Sequence, residues 1–130
     1  MSNTTSALTH IESLVQQGLL QQAESSCHEL LRRAPREHKA WAWLGVLALQ
    51  GGRLLDAENA FRQATTLDRY NAQYWSNLAA AVFSQRRLKE AEEHFRRAIK
   101  LDGSLVPCWD NLAACLAQLG RWSESLEPCV

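Results

Sequence analysis

Residues Trp75–Val82 read WSNLAAAV, and 34 positions on, residues Trp109–Leu116 read WDNLAACL. Both stretches are rich in Ala and Leu and read as helix. Each nevertheless carries an asparagine, a poorer helix former, two places after its tryptophan. Working outward at the same 34-residue step, Trp41 joins Trp75 and Trp109, and Leu44, Leu78 and Leu112 follow three places later. Gly45, Ala79 and Ala113 come next, then Gly18, Gly52, Arg86 and Gly120 in register. Ala23, Ala57, Ala91 and Ser125 align, as do Cys27, Phe61, Phe95 and Cys129, and then Leu30, Ala64 and Ala98. A fixed period of this length marks an array of stacked supersecondary units. The units start at Thr4, His38, Ala72 and Val106, dividing one domain of residues 1–130 into repeats 4–37, 38–71, 72–105 and an incomplete 106–130.

Each repeat reads as two helices. HKAWAWLGVLALQ places Trp41, Leu44, Gly45 and Ala48 at i, i+3, i+4 and i+7, one stripe of a helix. Gly51 and Gly52 interrupt it, and RLLDAENAFRQATTL resumes with Ala57, Phe61 and Ala64 on one stripe. Small residues at the facing positions let the two helices approach closely, with the aromatic residues filling the gaps. The expected fold class is all-α, antiparallel helical hairpins stacked so that neighbours complete each other's core. The tryptophans are read as core residues. The first repeat departs in its front half, where Ala7 and His10 replace Trp and Leu. In the fourth, Pro128 falls inside the expected second helix, which is read as short or frayed.

The totals exclude several classes. Lys plus Arg and Asp plus Glu are 14 each, so no global field draws nucleic acid or an anionic membrane. No apolar run approaches the ~18 residues of a membrane span. The start, MSNTTSALTH, lacks a basic region and an apolar stretch, so the expected location is cytoplasmic. Cys27, Cys108, Cys115 and Cys129 and the four histidines show no metal-ligand spacing, so no metal is expected. No phosphate loop or nucleophile motif occurs, so no catalysis and no cofactor are expected within the chain. The basic runs QRRL (residues 85–88) and FRRAIK (residues 95–100) read as a solvated outer face, with the glutamates of KEAEEHFRR pairing at i, i+4, the alternative being a surface for an anionic partner.

W-x2-L-G/A followed by A-x3-F at a period of 34 resembles the tetratricopeptide repeat (TPR) family over nearly the whole chain. That resemblance implies a right-handed TPR superhelix, an α-solenoid, with the first helix of each repeat lining a concave groove. Asn77 lies ~200° round its helix from Trp75, and the stripe Trp75, Leu78, Ala79, Val82 spans only about 100°. Asn77 therefore points away from the packing stripe, as does Asn111. By the resemblance, that face looks into the groove. It comprises Lys39, Trp43, Val46, Leu49 and Gln50 in the second repeat. In the third it comprises Gln73, Asn77, Ala80, Phe83 and Ser84, and in the fourth Asn111, Ala114 and Gln118, with Pro107 and Asp110 nearby.

The W-x-N-L-A phrase is also similar to repeats of the O-linked N-acetylglucosamine transferase and its bacterial relatives, which hold substrate polypeptides on a ladder of asparagines. Thr9 and Trp43 occupy the equivalent slots in the first two repeats, which limits any ladder to two rungs. The chaperone-tail clamp of the same family fits poorly, because its slots hold Ala42, Val46, Asn77, Pro107 and Asn111 and only Asn77 matches. The resemblance thus implies a protein–protein interaction scaffold that binds an extended polypeptide of unknown identity. Two alternatives stay open. One is the substrate-recognition arm of a glycosyltransferase-like enzyme, the chain being an N-terminal piece of a longer protein. The other is a self-association module, forming a homodimer through an uncapped C-terminal end.

Overall fold

The structure, a computed structural model, describes residues 2–120. Seven helices occupy them: α1 (Ser2–Gln16), α2 (Leu20–Arg33), α3 (His38–Gln50), α4 (Leu54–Leu67), α5 (Ala72–Ser84), α6 (Leu88–Leu101) and α7 (Val106–Leu119). No strand occurs among the described residues. The helices α1/α2, α3/α4 and α5/α6 form hairpins, and the fold is the all-α helical-hairpin class. Ser125, Pro128 and Cys129, and with them the expected frayed helix and the uncapped end, lie outside the described residues.

The chain divides into two compact units, Met1–Arg69 and Tyr70–Val130. In the first, α2 packs on α3 and joins the two hairpins into one core. Ile11, Leu14, Ala23, Cys27, Leu30, Leu44 and Leu47 fill it. The α3–α4 approach is very close: a Cβ on Gly45 would fall 2.6 Å from two ring carbons of the fully buried Phe61. In the second unit α6 packs on both α5 and α7, and α5 also touches α7. Here Leu78, Ala79, Val82, Ala91, Phe95, Leu112 and Cys115 are buried. Each large side chain taken from water this way contributes roughly 1.5–3 kcal/mol, so the apolar stripes account for the stacking.

The hairpin turns share one geometry. Gly18, Gly52 and Arg86 follow their helices with φ of 79°, 76° and 69°. The amide of the next residue then donates five residues back, Leu19 to Leu14, Arg53 to Ala48 and Arg87 to Val82. These bonds satisfy carbonyls that a helix end otherwise leaves without partners. Glycine adopts this left-handed conformation freely, whereas arginine there costs ~1–2 kcal/mol.

The tryptophans do more than fill space. Trp41 Nε1 donates to the Pro35 carbonyl at 3.0 Å, and Trp109 Nε1 to the Gly103 carbonyl at 2.9 Å. Each indole therefore fastens its helix to the loop before it, giving the N–H the partner that an aromatic of this kind requires. Their burial is less complete than the sequence reading expects. Trp75 is half-buried between His94, 5.7 Å away, and the Arg97 guanidinium, 4.7 Å over the ring. Trp109 is 50% exposed. The residue 34 positions after His94 is Pro128, outside the described residues, so the face that His94 covers on Trp75 has no described counterpart on Trp109.

Cys27, Cys108 and Cys115 are free and buried. Burial, aided by the Glu24 charge, pushes the Cys27 thiol up to about 12. Burial also raises Cys108 and Cys115. The last two donate across α6–α7 seams, Cys108 Sγ to the Phe95 carbonyl at 3.5 Å and Cys115 Sγ to the Leu88 carbonyl at 3.0 Å. Thiols so held are packing groups, not nucleophiles at neutral pH.

Candidate functional site

The face opposite the packing stripe carries the candidate residues on α3, α5 and α7, and none of them is fully buried. On α5, Gln73 and Ser84 are exposed and Asn77, Ala80 and Phe83 are half-buried. On α7, Asn111 is half-buried and Ala114 and Gln118 are exposed. On α3, in the first unit, Lys39 and Gln50 are exposed, and Val46 and Leu49 are half-buried. Trp43 is half-buried too, and it leans on the first unit's core beside Trp41. Much of its surface is therefore spent on packing, which reduces what it can offer a ligand.

The local reason for this division is helical periodicity. The Asn71 side chain caps α5 by accepting from the Tyr74 amide at 3.2 Å, fixing where the helix begins. From that start Leu78, Ala79 and Val82 turn inward, and Asn77 falls on the other side. Asn77 Oδ1 accepts from Gln73 Nε2 at 2.9 Å, one turn earlier on the same helix. This bond orients the carboxamide and leaves its two N–H donors pointing outward from that contact.

Phe83, Ser84 and Gln118 meet around one hollow of about 180 Å³ at the C-terminal ends of α5 and α7. Phe83 stands edge-on to the buried Phe95, with ring centres 6.4 Å apart, and so forms an apolar wall backed by the core. The fourth lining residue is Arg86, which the sequence reading placed on a solvated outer face. Its Nη1 donates to Gln118 Oε1 at 3.1 Å. Arg86 is exposed, as the solvated reading expects, and it also reaches across to α7. Arg87, its neighbour, pairs with Glu90 at 2.6 Å and also donates to Gln85. Arg96 pairs with Glu92 at 2.9 Å, and Arg97 lies on Trp75. The signal for Arg86 was present in the repeat alignment, where it alone replaces glycine among Gly18, Gly52 and Gly120.

Larger hollows lie in the first unit. One of about 400 Å³ sits between α1 and α2 beside His10, Glu29 and Arg33. Another of about 240 Å³ is bordered by Trp41, His28 and the Glu24–Arg53 pair. That pair is bidentate, both bonds being 2.9 Å, and the Arg53 guanidinium holds the Glu24 carboxyl below its ordinary range. It ties α2 to the α3–α4 turn. Among the described residues no group of three His, Cys, Asp or Glu is placed to hold a metal ion, and no helix is long and apolar enough to cross a membrane.

Solved structures share this fold. A Thermobaculum terrenum O-GlcNAc transferase is 23% identical with a TM-score of 0.83, over 88% of this chain and 22% of that one. This chain thus spans about a fifth of the transferase. The first TPR of Spaghetti (RPAP3), bound to the HSP90 peptide SRMEEVD, is 17% identical with a TM-score of 0.87, over 90% of this chain and 93% of that one. The Sgt2 TPR domain of Aspergillus fumigatus is 16% identical with a TM-score of 0.87, over 95% and 83%. No curated protein matches the chain. Two family profiles described as tetratricopeptide repeat match residues 8–72 and 72–105. With its period, its hairpins and these matches in agreement, the chain belongs to the tetratricopeptide repeat family.

Proposed function

We propose that the chain is a protein–protein interaction scaffold whose repeats, 4–37, 38–71, 72–105 and 106–130, present their first helices to an extended polypeptide. The observation that carries this reading is the state of the two asparagines. Both are half-buried and face away from the core, and Asn77 is tied only within its own helix. A carboxamide has one acceptor and two donors in a plane, matching the N–H and C=O of one extended peptide residue. Helices that pack directly sit ~10 Å apart, about three residues of extended chain. Asn77 and Asn111 can therefore grip main chain at intervals without reading its side chains. The peptide held by the RPAP3 domain supports the reading, since that domain has the same fold.

Two such amides supply roughly 2–4 kcal/mol, which alone gives affinity no tighter than about millimolar. Apolar contact must add to it. In the second unit Phe83 and Ala80 provide this, and in the first Val46, Leu49 and part of Trp43 are proposed for the same role on their own face. The test is an NMR titration of isotope-labelled protein with extended peptide pools, comparing the wild type with an Asn77→Ala, Asn111→Ala double variant. A loss of tenfold or more in affinity is expected. Equal binding by both proteins sinks the amide grip.

A second reading, the recognition arm of a glycosyltransferase-like enzyme, is favoured by the likeness to the transferase and by the W-x-N-L-A phrase. It uses the same face. Transfer of the peptide titration to a longer natural chain, if one exists, separates the two by whether sugar is attached to the bound peptide.

A further inference from the structure

The geometry points to Arg86 as a carboxylate-binding subsite that selects an aspartate or glutamate side chain in the bound segment. This deepens the polypeptide-binding reading and rests on it. Three observations converge. Arg86 holds a left-handed backbone, φ 69°, at the turn where the other repeats use glycine. A conformation that disfavours side chains is kept here with a long cationic one, and such outliers cluster at functional positions. Arg86 also makes no ion pair with any described residue, although Arg87 and Arg96, its nearest basic neighbours along the chain that are ion-paired, are matched to Glu90 and Glu92. Finally, its guanidinium is steered by Gln118 Oε1 into a hollow whose other walls are Phe83 and Ser84.

The bond to Gln118 uses one N–H and leaves four for a ligand, since a guanidinium carries five. Two parallel N–H groups match the two oxygens of a carboxylate, while the Ser84 hydroxyl and the Gln118 amide can donate at its flanks. Phe83, backed by Phe95, supplies an apolar wall for the methylenes of the entering side chain. The nearest acidic residue of α7, Asp110, is eight positions from Gln118, about 12 Å along the helix, so the hollow has no close acidic neighbour on that helix. Along α5 and its turn, Asn77 and Arg86 are nine positions apart, ~13 Å. That equals about four residues of extended chain, so one segment can reach both.

The test uses N-acetylated, C-amidated nonapeptide pools of Ser and Ala carrying one glutamate, matched pools carrying glutamine instead, and a third pool with glutamine and a free C-terminus. Binding to the wild type, Arg86→Gln, Arg86→Gly and the Asn77→Ala, Asn111→Ala protein is followed by NMR titration. The wild type should prefer the glutamate pool by roughly tenfold, and both Arg86 variants should bring that ratio to about one. The asparagine variant should weaken every pool alike while keeping the ratio. A ratio that survives in both Arg86 variants overturns the subsite, and a preference carried only by the free C-terminus overturns the choice of side chain. If the ratio collapses in the Arg86 variants but the asparagine variant binds like the wild type, the subsite stands and the amide grip falls. Failure of the wild type to bind any pool removes both.

Discussion

Replacing Gly45 with alanine should destabilise the first unit, although alanine is the better helix former. In the middle of α3 the exchange gains ~1 kcal/mol of helix propensity. The added Cβ, however, lands 2.6 Å from Phe61 Cδ1 and Cζ, where ordinary contact begins near 3.4 Å. Phe61 is fully buried, so its ring has no open space to retreat into. Overpacking of this kind costs ~1–3 kcal/mol, which leaves a net loss of up to ~2 kcal/mol. Phe61→Leu removes the obstructing ring atoms, so in that background Gly45→Ala should instead stabilise by ~1 kcal/mol. Urea unfolding followed by far-ultraviolet circular dichroism measures all four proteins, provided the slopes agree and only the midpoints move. The expected coupling, ~1–3 kcal/mol, exceeds the ~0.3–0.5 kcal/mol scatter of independent sites. Equal gains from Gly45→Ala in both backgrounds would show that the ring and the glycine do not oppose each other, and the packing argument would fail.

At Gly52, φ is 76° and an added Cβ meets nothing within 4 Å, so Gly52→Ala should cost about 1 kcal/mol by conformation alone, seen as a lower melting temperature. The same order holds at Arg86: Arg86→Gly should melt above Arg86→Ala by a comparable margin, and equal melting temperatures would deny strain at that turn. The Glu24 carboxyl is lowered by Arg53, so its contribution is present above the ordinary glutamate value of about 4.3 and is lost as pH falls through its lower folded value. The midpoint gap between the wild type and Glu24→Gln should therefore close on acidification below about pH 4.3, and a gap unchanged at low pH would refute the assignment.

The 34-residue period, the hairpins and the candidate face were legible in the sequence because each follows from the geometry of a single helix. At a fixed turn per residue, Trp75, Leu78 and Val82 must share a side, and Asn77 must leave it. The common turn was legible too, in Gly18, Gly52 and Gly120. What escaped was whatever depends on the space between helices. The sequence pattern puts Phe83 on the candidate face but does not show that its ring rests on Phe95, twelve positions on. The same pattern puts Arg86 on solvated surface with Arg87; it is exposed, and it also reaches Gln118, 32 positions away, which the pattern does not show.

The sequence by itself determined which residues share a helix face, since the covalent chain and the 3.6-residue turn set that before any partner is present. Tertiary structure alone decided how the faces are used. It chose which of two adjacent arginines finds a glutamate, which thiols are tied to carbonyls, and which tryptophan stays half in solvent. Those outcomes turn on gaps of an ångström or two between packed elements, and a periodic pattern carries no measure of such gaps.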